Sequence, residues 1–365
     1  MDIMEAIFLL LTLLVIPYVF LGLVILVKGR NQNIVKDYNY KPTVTIYLPT
    51  FNEEKNIERK LDNLLAQTYP IKEILIVDCS TDGTVQIIEQ YQRRFPLIRL
   101  IRQPQRTGAA RTMNEAINLA MQERSTEIFV KTDCDSISGP SALSELIANF
   151  ADERIGAVTG IYVVDKGVEK YYRKFMHSIQ VAESNIDSTL IAHSCWLAFR
   201  RSLLEPVREN SAAEDTEEFL LVRKKGYKTI IDPSVVSSEE VPVNYKLRLT
   251  QKSRRSQGIV KVLQDNLDML LNPKFGKYGS LVLPIEWFIL VLSPVLLVAL
   301  MGVITYMLYI TYPLLAVGLI AVIVGAVIHR SNILFAIIDT ELNGLSGFIK
   351  SVLTGNGNGL WERVR

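Results

Sequence analysis

Two long apolar blocks limit what this chain can fold into before any other feature is weighed. From Ala6 to Val27 only Thr12, Pro17, Tyr18 and Gly22 interrupt the run, and from Leu281 to Ile328 Glu286 is the sole charge. About 20 apolar residues cross the hydrocarbon core of a bilayer as a helix. The first block therefore predicts one span and the second two, joined by a turn at Thr311, Tyr312 and Pro313. A composition that is 49% hydrophobic, with mean hydropathy +0.20, fits a globular domain carrying membrane helices.

A cleaved signal peptide begins with basic residues, whereas here Asp2 and Glu5 come first and Lys28 and Arg30 follow the block. The segment is expected to be retained. Lysine and arginine favour the cytoplasmic side. Lys36, Lys41, Lys274, Lys277, Arg330 and Lys350 join Lys28 and Arg30 there, which leaves the N-terminus and the 311–313 turn outside. This reading gives a multi-pass protein of the cell membrane whose central domain is cytoplasmic. Its units are an N-terminal helix (1–28), the central domain (43–245), a basic element with an amphipathic helix (246–280), two spans (281–330), and a helix with a tail (331–365). Asp339, Glu341 and Lys350 make 331–353 an interfacial helix or a re-entrant segment. The tail GNGNGLWERVR reads as an interfacial anchor or a lid.

Residues 43 to 240 alternate short β-rich runs with helical patterns. VTIYLP precedes a helical stretch at 53–67, EILIVD one at 84–95, LIRLI one at 109–123, and EIFVKTD one at 141–150. Repeated β-α units imply an α/β domain with a doubly wound, mainly parallel sheet, and such sheets bind ligands outside the carboxyl ends of their strands. PTFNEE, DCSTDG and DCDS each begin where an apolar strand stops, so all three converge on one crevice. On an extended segment Asp133 and Asp135 share a face and Cys134 takes the other. Adjacent carboxylates repel unless a cation separates them, and this oxygen pair suits Mg²⁺ or Mn²⁺, which leave positions for substrate phosphates.

Neither G-x-G-x-x-G nor G-x-x-x-x-G-K-[ST] occurs, so phosphate is managed by another device. Cys79, Cys134 and Cys195 offer neither a disulfide framework nor zinc spacing, and His177, His193 and His329 are scattered. The net charge of +2 excludes no partner by itself, and no nucleic-acid partner is expected. Ile259, Val260, Leu263, Leu267, Leu270 and Leu271 recur at helical spacing, which fits a helix on the membrane surface or one packed on the central domain. Trp196 in HSCWLAFRR either faces an acceptor sugar or sits in the core. The small residues opening TGAARTMNEAI either bring a helix end close to a ligand, with Arg111 one turn in, or pack.

In the order PTFNEE, IVDCSTDGT, TGAARTMNEAI, KTDCDS, AED and QKSRR, from about Thr43 to Lys261, the chain resembles the family-2 glycosyltransferases of the GT-A fold. The likeness is to their membrane-integrated glycolipid and polysaccharide synthases. It implies that Pro49, Phe51, Glu53 and Asp78 hold the nucleoside of a sugar donor, that Asp133 and Asp135 hold metal and diphosphate, and that Asp215 is the base. It places Gln251 and Arg254 at the diphosphate and acceptor region. Glu214 raises the pKa of that base by like charge or caps the helix that Asp215 opens.

Two positions depart from the family pattern. Val77 stands where many relatives pair an aspartate with the residue matching Asp78, which loosens the inference about which nucleobase is bound. Arg255 stands where relatives carry an acceptor-facing tryptophan, and a cation there suits a phosphate or anionic headgroup.

The implied activity is inverting transfer of a hexose from a nucleotide-diphosphate sugar, a UDP-sugar first, to a lipid or lipid-linked glycan acceptor. Three spans are few for a polymer channel, and Arg255 also favours the lipid. A processive polysaccharide synthase remains the alternative within the family. A non-catalytic nucleotide-sugar-binding scaffold or exporter component is the alternative outside it. Nothing in the sequence sets the oligomeric state.

Overall fold

The computed structural model describes residues 2–28, 35–122, 125–164, 168–239, 245–328 and 333–353. Helix α1 (Ile3–Lys28) leads into an α/β domain. That domain runs β1 (Val44–Thr50), α2 (Ile57–Leu65), β2 (Glu73–Asp78), α3 (Thr84–Arg94), β3 (Ile98–Arg102), α4 (Ala109–Gln122), β4 (Ile128–Lys131) and β5 (Ser136–Ser138). It continues through α5 (Ala142–Ala148), β6 (Ile155–Val163), α6 (Val168–Ile186), β7 (Leu197–Arg200), α7 (Glu214–Lys224) and β8 (Lys228–Glu239). After it come α8 (Tyr245–Gln264), α9 (Leu283–Trp287), α10 (Ser293–Thr311), α11 (Pro313–Ile328) and α12 (Ile333–Leu353).

The strands form one sheet in the order β3-β2-β1-β4-β7-β6-β8-β5. Its β3-β2-β1-β4 half is parallel, as the repeated β-α units require. Beyond β4 the sheet is mixed, since β7 runs antiparallel to β4 and β6, while β6 and β8 are parallel. Period-two alternation sorts the core. Val44, Ile46 and Leu48 meet Ile57, Leu61 and Leu64 of α2 on one face, and Tyr47 meets Phe129, Met113 and Ile117 on the other. The helical pattern read from Glu53 becomes helix only at Ile57, because Asn52 adopts φ 55° and Glu53–Asn56 form a turn.

Among the described residues, two helices are long and apolar enough to cross a membrane by length and composition, Ile3–Lys28 and the 34-residue stretch Tyr278–Thr311. The second contains π-helical turns at Tyr278–Val282 and Phe288–Leu292 on either side of α9. Its first turns are buried with Leu190, Leu220, Val262 and Leu263, so the apolar block grows directly out of the α/β domain. The chain breaks at Tyr312, and α11, at 16 residues, is about 24 Å long. It is a shorter apolar helix than the two above.

Val262 and Leu263 are buried with Leu190 and Leu220 of the α/β domain, which matches the packing alternative, while α8 ends at Gln264 and Leu267 and Leu271 beyond it are exposed. Segment 333–353 is a single helix laid along α8. Lys252 pairs with Asp339 at 2.9 Å, Lys350 donates to Ser253 Oγ at 2.7 Å, and Ser253 meets Ser346 at 3.2 Å. The tail, with Trp361, lies outside the described residues.

The α8–α12 contact depends on a missing side chain. A Cβ at Gly347 would stand 2.2 Å from Ser256 Oγ and 2.8 Å from the Gln257 backbone nitrogen. Gly347→Val therefore forces the helices apart and is expected to cost about 1–3 kcal/mol, the usual range for overpacking, read as a lowered Tm in detergent. An unchanged Tm would contradict this packing.

Candidate active site

The loops after β1, β2 and β4 meet at the carboxyl end of the sheet. Asp78, at the end of β2 and opposite Thr50, accepts from Thr50 Oγ1 at 2.5 Å, Ser80 N at 2.8 Å and Ser80 Oγ at 2.7 Å. Asn52 N donates to Ser80 Oγ at 2.7 Å, Thr81 N to Asn52 Oδ1 at 2.8 Å, and Glu53 N to Thr84 Oγ1 at 2.8 Å. Asp78 is buried, and its contacts fix the two loops to each other. Glu53 accepts from Asn56 Nδ2 at 2.7 Å. Pro49 and Phe51 are half-buried beside this seam, and the Arg106 guanidinium lies 4.3 Å from the Phe51 ring centroid.

Strand β4 ends at Lys131, and the next residues keep its alternation: Asp133 and Asp135 are half-exposed while Cys134 is buried. Both aspartates thus reach solvent, although residues 133–136 form a turn rather than the extended segment expected. Ser194 fixes Asp133 twice, through its carbonyl to Asp133 N at 3.1 Å and through its hydroxyl to Asp133 Oδ2. Beneath the turn lies Lys60, fully buried, donating to Thr132 Oγ1 at 2.8 Å and to Ser136 O at 2.7 Å. Burial lowers the Lys60 pKa to about 8, against the pull of nearby anionic groups.

Helix α7 opens with Glu214 and Asp215 facing the same end of the sheet. The buried Lys131 ammonium contacts both, Glu214 Oε1 at 3.2 Å and Asp215 Oδ1 more closely. Burial raises the Asp215 pKa, Lys131 pulls it down, and Glu214 pushes it up again, with the balance above its ordinary value. Of the two roles read for Glu214, the structure matches the like-charge one: it stands in the first turn of α7 and raises its neighbour, while the helix start has no side-chain cap.

Arg254 on α8 completes the group. Burial and then Arg255 lower its pKa, while Glu214, Asp133 and Asp215 act in the opposite sense, so its charge lies within range of all three acids. Gln251 and Arg255 share this stretch of α8 and are half-buried. Gly258, one turn on, lets α8 touch the start of α7, because a Cβ there would stand 2.7 Å from Ala212 O.

Trp196 does not face an acceptor. It is fully buried, donates Nε1–H to Ser138 Oγ at 2.6 Å, and has the Lys60 ammonium 5.4 Å from its ring. An indole paired this way is a core residue. Ala110 is buried and Arg111 pairs with exposed Glu209 at 3.0 Å, which matches the packing alternative for that helix start.

Sequence reasoning passed over Lys131, Lys60, Ser194 and Arg106. Lys131 carried a signal, since it shares the period-two face of Asp133 and Asp135. So did Lys60, which occupies the apolar stripe of Ile57, Leu61 and Leu64.

The donor set of Asp133 and Asp135 is hard oxygen on one side of a turn, a fit for Mg²⁺ or Mn²⁺. Among the described residues no three His, Cys, Asp or Glu side chains gather to hold a metal. Ligand oxygens and water are then needed to complete a coordination shell, which is how Mg²⁺ is usually bound beside phosphates.

Comparison with known proteins places this geometry. The family model for glycosyl transferase family 2 matches residues 45–208, and that for glycosyl transferase family group 2 matches 128–328. The mannosyltransferase PcManGT from Pyrobaculum calidifontis, solved in complex with GDP-Man and Mn²⁺, superposes with TM-score 0.81 at 25% identity, covering 97% of this chain and 99% of that one. "Probable glycosyltransferase YdaM" of Bacillus subtilis (strain 168) is 24% identical over 237 residues, 60% of this chain and 55% of its own length. Hyaluronan synthase of Streptococcus pyogenes is 34% identical over 128 residues, 34% of this chain and 30% of its own length. The chain thus spans about half of the first of these curated relatives and under a third of the second.

The Lys131 contacts generate a prediction independent of activity. Lys131→Met leaves Glu214 and Asp215 without their buried counter-charge and should cost about 3 kcal/mol near pH 7 in denaturant unfolding. Because Lys131 lowers the pKa of both acids, protonating them removes the uncompensated charge, so the deficit should shrink as pH falls. A pH-independent deficit would assign Lys131 a packing role alone.

Proposed function

The chain belongs to glycosyl transferase family 2, and from that premise we propose that it is a membrane-integrated inverting glycosyltransferase. It moves a hexose from a nucleotide-diphosphate sugar to a lipid or lipid-linked acceptor at the cytoplasmic membrane face. The observation that carries this reading is the gathering of Lys131, Asp133, Asp215 and Arg254 at the carboxyl end of β4. A binding-only scaffold has no need of a carboxylate held beside a buried lysine with a raised pKa.

In this reading Pro49, Phe51, Glu53 and the Asp78 loop seat the nucleoside, with Arg106 over the Phe51 ring. Asp133 and Asp135 hold a divalent cation, which neutralises charge on the departing diphosphate when bound. Arg254 and Gln251 face the same group. Asp215 removes the acceptor hydroxyl proton as the acceptor oxygen bonds to the anomeric carbon and the carbon–oxygen bond to diphosphate breaks, a single displacement that inverts configuration. Lys131 keeps Asp215 oriented and offsets the neighbouring negative charge.

The near full-length likeness to a protein holding GDP-Man supports testing a GDP-hexose beside the UDP-hexose first expected. A processive polymer synthase is the second reading, favoured by the 128-residue likeness to hyaluronan synthase. The proposed arrangement puts the α/β domain and α12 in the cytoplasm, with α1, the Tyr278–Thr311 stretch and α11 in the bilayer, since α12 packs on α8 and the chain must return across the membrane after Thr311.

Calorimetry with GDP and UDP in Mn²⁺ tests the carboxylate pair: Asp135→Asn should abolish the Mn²⁺-dependent part of nucleotide affinity, and undiminished affinity would remove the metal from this site. Asp215→Asn should leave nucleotide affinity near wild type while turnover falls about a hundredfold or more. Since the base acts deprotonated and its pKa is raised, the acid limb of the rate profile should lie above the ordinary aspartate value. A limb at ordinary carboxylate pH, or lost nucleotide binding in Asp215→Asn, would take the base role from Asp215.

A further inference from the structure

We propose that Arg173, Arg255, His177 and His193, gathered round Tyr162 beside Asp215, form a subsite for the phosphate group of a membrane-borne acceptor. This rests on the transferase reading above and names the acceptor chemistry it left open.

Four separate segments build the cluster. Tyr162 ends β6, Arg173, His177 and Gln180 share one face of α6 at helical spacing, His193 precedes β7, and Arg255 comes from α8. The Arg173 guanidinium lies 3.8 Å from the Tyr162 ring centroid, and Arg255 Nη1 is 3.5 Å from the Tyr162 hydroxyl. The His193 ring stands edge-on to Tyr162 at 5.0 Å and to His177 at 5.6 Å, with Nε2 2.9 Å from Gln180 Oε1. Tyr162, Arg173, His177, His193 and Arg255 are all half-exposed, so a ligand can reach them.

The field in this cluster is positive. Burial and the Arg173 charge bring the His177 pKa down to about 4, and burial, His177, Arg173 and Arg255 hold His193 well below its ordinary value. Both rings stay neutral at pH 7, leaving two guanidiniums and two imidazoles grouped around the Tyr162 ring. Arginine forks and imidazole N–H groups match phosphate oxygens in geometry and sign.

Position decides where the phosphate comes from. Arg255 also lowers the Asp215 pKa, so an anion bound here lies beside the proposed base. Helix α6 packs against α1, and Asn185 near its end donates to the backbone carbonyl of Lys28, where α1 stops. The cluster thus lies on a helix braced by an apolar helix of membrane-spanning length. A lipid headgroup reaches such a place from the bilayer, whereas the donor diphosphate is accounted for at Asp133, Asp135 and Arg254.

The test uses the purified full chain in detergent. Dioctanoyl phosphatidic acid and neutral dioctanoylglycerol are titrated separately, as are GDP and UDP with Mn²⁺, into wild type, Arg173→Gln and Arg173→Lys. Wild type should bind the phosphatidic acid and not the neutral lipid. Arg173→Gln should weaken that binding about tenfold or more with nucleotide affinity unchanged, and Arg173→Lys should recover part of it. Equal lipid affinity in Arg173→Gln overturns the proposal, as does a parallel fall in nucleotide affinity, which assigns the cluster to the donor. Transfer to neutral acceptors without phosphatidic acid binding rejects the subsite and leaves the transferase standing. Phosphatidic acid binding without transfer to any acceptor rejects the transferase and keeps the subsite.

Discussion

A single buried ammonium organises the acidic end of this sheet. Lys131 is the last residue of β4, its backbone is fixed in the ladder opposite Tyr47, and its side chain is almost completely excluded from solvent. Removing a charge from water is tolerated only where opposite charge and hydrogen bonds replace the solvent. Glu214 and Asp215 supply that replacement, and Asp133 adds to it electrostatically. The dependence runs the other way as well, because burial raises the Asp215 pKa and Lys131 draws it back down. Strand β4 and helix α7, 83 residues apart, are bound by this exchange.

The remaining parts of the site are held by interactions of the same kind at shorter range. Lys60 fixes the turn carrying Asp133 and Asp135 from beneath, and Ser194 fixes it from the side. Asp78 joins the loops after β1 and β2 through its contacts with Thr50 and Ser80. Each loop leaves a different parallel strand, so none could hold its geometry alone. The sheet sets their spacing, and these buried polar contacts set their orientation.

Helix α8 links this site to the apolar helices. Gly258 brings it against the residues preceding Glu214, and Gly347 brings α12 against its other side. Arg254 and Arg255 are thereby fixed between the acids and the helices, Arg254 toward the proposed diphosphate and Arg255 toward Tyr162. A helix braced on both sides is a fitting carrier for groups that meet a soluble donor and a membrane-borne acceptor together.

Sequence alone determined the features that depend on local periodicity. Short β-rich apolar runs defined β1 and β2, and helical patterns defined α3 and α4 nearly to the residue. The length of apolar runs defined α1 and the start of the second block. These follow from forces acting within one element, so a linear reading can reach them. Tertiary structure alone decided which reading of Trp196 holds, because burial depends on Ser138 and Lys60 arriving from elsewhere. It also decided that β7 runs antiparallel to β4, that Lys60 and Lys131 turn inward, and that His177 and His193, 16 residues apart in sequence, share an edge with Tyr162. Those outcomes depend on what the chain brings opposite each side chain, and a buried charge cannot be told from an exposed one until its partner is in place.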